Sequence, residues 1–200
     1  MRDIGKAIIA TAVLMSVAAV ESSVAQATEH ESCAKAESTF GRGGGGKSME
    51  WAASMLLGCP SSGPRVVARR WGSPPSDSTE LRLLGSVSTG VRDRRTLAAV
   101  TAVAANSSQP RHVRLEAIRT LVTYYDPSVV VDYRTRSLPS GEELVPVLGS
   151  WSSPRGRDGD QPLPATVKGD ILATLRQIGG GDGDQTVVKV AKKLVKELQG

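Results

Sequence analysis

Between Arg111 and Tyr125 the apolar residues return at three- and four-residue steps. Val113, Ala117, Leu121 and Tyr124 form one line, and Leu115, Ile118 and Val122 widen it into a stripe. Arg111, Arg114, Glu116 and Arg119 mostly take the other side, which is the pattern of an amphipathic helix. Asp126-Pro127-Ser128 stops that helix. Ser128 can cap a second one, with Val129, Val130 and Val131 in its core. The same helix–turn–helix pattern returns at 78–108, as a helix over Thr79 to Ser88, a break at Gly90 and a second helix from about Asp93 to Ala105. Residues 163–200 give a helix to Ile178, a Gly-Asp turn and a last helix from about Asp184. A shorter copy occupies 47–71. One such hairpin cannot bury its apolar face alone, but stacked neighbours can. Aromatic residues make up only 4% of the chain, which argues against an aromatic- and β-branched-rich sandwich.

The stretch VRLEAIRTLVTYYDPSVVV, residues 113–131, resembles a HEAT repeat, with a Val-Arg-x-x-Ala start and an Asp-Pro turn before the second helix. Residues 79–104 and 163–197 resemble the pattern less closely, and 48–71 least. The resemblance implies an all-α fold: a short right-handed α-solenoid of about four antiparallel helix pairs, offering an extended surface to partners. A generic helical bundle is the alternative for the same periodicity. Residues 137–162 are rich in Pro, Gly and Ser and read as an irregular loop insertion, with 142–148 as a helical turn or short strand.

The N-terminus sets the expected compartment. Arg2 and Lys6 precede an apolar run from Ala7 to Val20, and small residues lead to Ala25-Gln26-Ala27. This is the pattern of a signal peptide over 1–27, cleaved after Ala27, and the run is too short for a membrane-spanning helix. A secreted or periplasmic protein without stable membrane insertion is expected. Export favours a Cys33–Cys59 disulfide, with two buried free thiols as the alternative. The domain reading is then a signal peptide, an N-terminal segment with a glycine linker over 28–47, and a helical-repeat domain over 48–200.

Gly41, Gly46, Lys47 and Ser48 match the phosphate-loop pattern within GRGGGGKS. A working loop follows a buried strand, and ESCAKAESTF is too polar for one, reading instead as a short helix or coil. The expected role is a flexible linker, with Ser48 capping the next helix and Phe40 and Trp51 docking on either side. The Ser-Val-Val-Val-Asp run at 128–132 resembles a magnesium-binding strand end, but its valines read more simply as core residues of the second helix. His30 and His112 are the only histidines, and no H-E-x-x-H or G-x-S-x-G occurs. The DGDQ turns at 158–161 and 182–185 have too few oxygens for a calcium loop, and Asp184 serves as a cap. No cofactor and no metal are expected.

The net charge is +5. Lys189, Lys192, Lys193 and Lys196 line one side of the last helix, opposite Val187, Val190, Ala191, Leu194 and Leu198; a solvated capping face is the plain reading. The arginines of the first three units could form a surface for an anionic partner if they share a face. Arg69, Arg70, Arg114, Arg119 and Trp151 are the partner-binding candidates, while Trp51 and Trp71 are expected in the core. Nucleic acid is not expected, because no aromatic platform interleaves with the basic residues. The function expected is a non-catalytic exported scaffold binding a protein or an anionic polymer. An extracytoplasmic enzyme or nucleotide-binding protein using the glycine loop is the alternative.

Overall fold

The computed structural model describes residues 30–139, 141–150, 165–181 and 183–200. Helix α1 occupies residues 30–42. It is followed by α2 (Gly46–Leu56), α3 (Gly63–Gly72), α4 (Ser78–Val91), α5 (Arg94–Ala105) and α6 (Arg111–Tyr125). Strands β1 (Val129–Leu138) and β2 (Gly141–Ser150) come next, then α7 (Ala165–Gly180) and α8 (Gln185–Gln199). The expected signal peptide and Trp151 lie outside the described residues.

Short acidic side chains start three of the helices. The Asp77 carboxylate accepts from the Thr79 and Glu80 amides at 3.0 and 2.9 Å, and Asp93 from Arg95 at 2.8 Å. Asp184 accepts from Thr186 at 2.9 Å and Val187 at 3.3 Å, as the sequence suggests. Each bond satisfies an amide that a helix start leaves without an intrahelical partner. Ser48 does not cap α2: that helix starts one turn of chain earlier, with Gly45 at the cap position and no side-chain bond. Glycine can take the extended, positive-φ geometry there (φ 69°), so no serine is needed.

The helices touch in two series. In one, α2 meets α4, α4 meets α6 and α6 meets α8; in the other, α3 meets α5 and α5 meets α7. Cross-contacts of α3 with α4, α5 with α6, and α7 with α8 join the series. A buried relay ties three helices near the centre. Trp71 Nε1 donates to Ser88 Oγ at 2.7 Å, Ser88 Oγ donates to the Leu84 carbonyl at 2.6 Å, and Tyr124 Oη donates to the Ser88 carbonyl at 2.7 Å. Burial holds the Tyr124 hydroxyl far above the ordinary phenol range, so it stays a donor.

The all-α expectation is corrected between α6 and α7. The second helix read from Ser128 onward is strand β1, and the first part of the 137–162 insertion is β2. The two form an antiparallel pair in which Val131 faces Leu148 and Tyr133 faces Pro146. Asp126 Oδ1 accepts from both the Ser128 amide and its hydroxyl, at 2.9 and 2.6 Å. This local turn uses up Ser128, and the β-branched Val129, Val130, Val131 and Thr135 that follow fit a pleated strand better than a helix. One face, with Val131 buried and Tyr133, Leu144 and Leu148 partly buried, rests on the helical core. Tyr133 Oη donates to the Leu115 carbonyl at 2.7 Å and pins the hairpin to α6.

Candidate functional site

The glycine loop joins α1 to α2, so a helix and not a strand leads directly into it. Residues 43, 44, 45 and 46 all have φ between 69° and 118°, a run of conformations that glycine adopts freely and other residues rarely do. The anion in place is a side chain of the protein itself. The Gly44 amide donates to Glu80 Oε1 at 2.6 Å, and Arg70 Nη2 donates to Glu80 Oε2 at 2.8 Å. Beside the loop lies a cleft of about 250 Å³ lined by Met49, Leu83 and Arg82, with Glu50 and Glu80 as its acids. With Glu80 already on the Gly44 amide and Glu50 nearby, the loop is a poor environment for phosphate. Lys47 and Ser48 are exposed, and Gly41 lies in the last turn of α1. The segment before α2 is more than a linker, since Ala36 and Phe40 of α1 are buried in the core.

Cys33 and Cys59 form a disulfide with Cα atoms 5.8 Å apart, fastening α1 to the α2–α3 turn. An open groove of about 420 Å³ runs past it, with His30 and Arg65 at its sides. His112 is exposed at the start of α6. Among the described residues no group of three His, Cys, Asp or Glu side chains is placed to hold a metal ion.

The partner-binding arginines expected from the sequence are mostly engaged within the protein itself. Arg69 is exposed and lies 3.6 Å from Glu37, which Arg65 also meets at 2.9 Å. Arg70 is largely covered and belongs to Glu80. Arg114 is 3% exposed, and its Nε donates to the Ala104 carbonyl at 3.1 Å. Burial lowers the pKa of its guanidinium, against the pull of Asp184. Arg119 pairs with Glu116 at 2.9 Å and stacks over the Tyr133 ring at 5.1 Å. Glu116 is buried as well, and burial raises its pKa against the opposing charges of Arg119 and Arg82. The expectation that Arg114 and Glu116 lie on a solvated face is therefore corrected. Helix α6 has α4, α5, α7, α8 and β1 around it, which leaves little of it for water. Trp71 is buried as expected, but Trp51 is 39% exposed with Lys35 Nζ 5.4 Å from its ring centroid.

The cationic residues that do converge are on α8. Lys189, Lys192, Lys193 and Lys196 stand along one side of a groove of about 510 Å³, with Arg136 of β1 reaching in from the hairpin. The opposite wall is Leu144, Val145 and Pro146 of β2, and the acids present are Glu143 and Glu197. Lys189 Nζ lies 4.0 Å from Glu143, so five cations face two carboxylates in this groove. The lysine row is visible in the sequence. Its opposite wall is visible only in part, because the sequence leaves 142–148 open between a helical turn and a short strand, and β2 is the second of these. Comparison with family models, curated proteins and solved structures finds no match to this chain. The groove has the chemistry of a binding surface: exposed ammonium groups spaced along a helix, beside apolar strand residues, with no nucleophile–base pair among its lining residues.

Proposed function

We propose that this chain is an exported, non-catalytic helical-repeat scaffold of the HEAT type, which binds an anionic protein or polymer through the groove between α8 and β2. The observation that carries the reading is the excess of cations there, five against two, on side chains exposed to solvent. Elsewhere Glu37, Glu80, Glu116 and Asp184 each pair with an arginine of the first three units, so those positive charges are partly spent internally. The two series of helix contacts support a stacked-repeat architecture, into which the hairpin is inserted. The disulfide supports a secreted or periplasmic location. The Glu80 carboxylate at the Gly44 amide speaks against the glycine loop as a nucleotide site.

Titration with inorganic polyphosphate tests the reading. Binding should weaken steeply with salt and fall at least tenfold in a Lys189→Glu/Lys193→Glu variant that melts like the parent. Binding unchanged by that variant would sink the assignment to this groove. ATP with magnesium should give no heat of binding that depends on Lys47, and a loss of binding in Lys47→Ala would restore the nucleotide reading.

A further inference from the structure

We propose that the outer edge of β2 takes up an extended acidic peptide as a third strand, with its carboxylates directed to the lysines of α8. This deepens the groove assignment above and rests on it.

The geometry of the groove carries the inference. Residues 143, 144, 145 and 146 of β2 all line it, and successive strand residues point to opposite faces of a sheet. A cavity touched by four consecutive residues therefore takes in the edge of β2 as well as the face that Glu143 shares with Arg136 of β1. The sheet has two strands, β1 next to β2, so β2 has one ladder partner among the described residues and an outer edge left over. Such an edge is a template for another extended chain. Pro146 supplies no N–H, so the added strand must lie in a register where none of its carbonyls depends on that position.

The charge selects the occupant. Lys189, Lys192, Lys193 and Lys196 extend over about 10 Å of helix, at ~1.5 Å per residue. Alternate side chains of an extended peptide fall ~6.8 Å apart, so two of them reach the lysine row at once. An acidic residue at every second position meets those ammonium groups, and the intervening residues point to the other face of the sheet. Lysine and proline on an edge also serve to keep copies of a protein from pairing. The experiment below separates that role from peptide capture.

A fluorescein-labelled nine-residue peptide of alternating Glu and Thr is titrated into the full-length protein and followed by anisotropy. The same peptide N-methylated at every central amide, and inorganic polyphosphate, are run beside it. The unmodified peptide should bind, and N-methylation should weaken it tenfold or more. Lys192→Glu/Lys196→Glu should do the same, and hydrogen exchange should slow across residues 142–148 when peptide is present. Equal binding of the N-methylated peptide, or unchanged exchange in β2, overturns strand addition. Lysine-dependent polyphosphate binding in that case leaves the broader groove assignment standing. Binding of neither probe removes both. A charge-reversed variant that dimerises, in a protein whose parent captures no peptide, assigns the lysines to edge protection and also overturns the proposal.

Discussion

At the scale of single residues, the chain spends charge on its own folding. Glu80 is the clearest case: one oxygen receives the Gly44 amide and the other the Arg70 guanidinium, with both side chains largely covered. Glu80→Ala leaves a partly buried guanidinium and a loop amide without their acceptor, and should cost about 1–3 kcal/mol in urea unfolding. Gly43→Ala should cost on the order of 1 kcal/mol as well, since its φ of 75° disfavours a side chain and the added methyl would run into Arg70. A Glu80→Ala protein as stable as the parent would show that the contact is incidental. Asp126 gives a pH-dependent case. Its hydrogen bond from the Ser128 hydroxyl holds its carboxyl below the ordinary value of 3.8, despite partial burial. A carboxyl with a depressed folded pKa adds stability above its unfolded value, and that stability is lost as pH falls through the folded one. Ser128→Ala removes the main cause of the depression. Melting temperatures taken from pH 6 downward should therefore differ most above about pH 4 and converge in strong acid. A constant gap across that range would refute the linkage.

At the scale of elements, the helix starts capped by aspartate are legible in the sequence, and of the hairpin only β2 is, as one of two readings of 142–148. Asp93 and Asp184 announce α5 and α8 because a short carboxylate before a periodic run has few better uses. The run Val129–Val131 is short and apolar, and periodicity alone cannot separate a buried helix turn from a strand at that length. The Asp126-Pro127 pair, which resembles the turn between two repeat helices, tips that choice toward helix. The corrective signal was present in the β-branched run and in Tyr133 and Thr135 at alternate positions, whose partners in β2 are Pro146 and Leu144. Burial of Arg114 was hidden for another reason: a polar residue on a helix reads as solvated unless the neighbours on that side are known. For the same reason the lysines of α8 were legible as a row while the groove was not. The anchoring of the hairpin is open to test. Tyr133→Phe removes the hydroxyl that donates to the Leu115 carbonyl and should cost about 1 kcal/mol, with faster hydrogen exchange in β1 and β2 and little change in α2–α4. Uniformly faster exchange would mean that the hairpin is not a separately released unit.

At the scale of the whole molecule, α6 is the element on which the others depend. It lies in the middle of one contact series and also meets α5, α7 and β1, whereas α8 stands at the end of that series. A stack with nearest-neighbour coupling should respond differently to the same lesion at these two places. Leu121 in α6 and Leu194 in α8 are both fully buried, so truncating either to alanine removes the same group from a packed site. Each change should cost about 2–5 kcal/mol if the cavity stays open. The distribution of the loss is the informative part. Leu121→Ala should speed exchange in α4, α5, α7 and the hairpin together, because every path between the two ends of the molecule passes through α6 or its direct neighbours. Leu194→Ala should speed it in α7, α8 and β2 and leave α2–α4 near the parent rates, since α8 packs mainly on α6, α7 and β2. If the two variants gave the same exchange map, the chain would behave as one indivisible core, and the stacked-repeat description would lose its physical content.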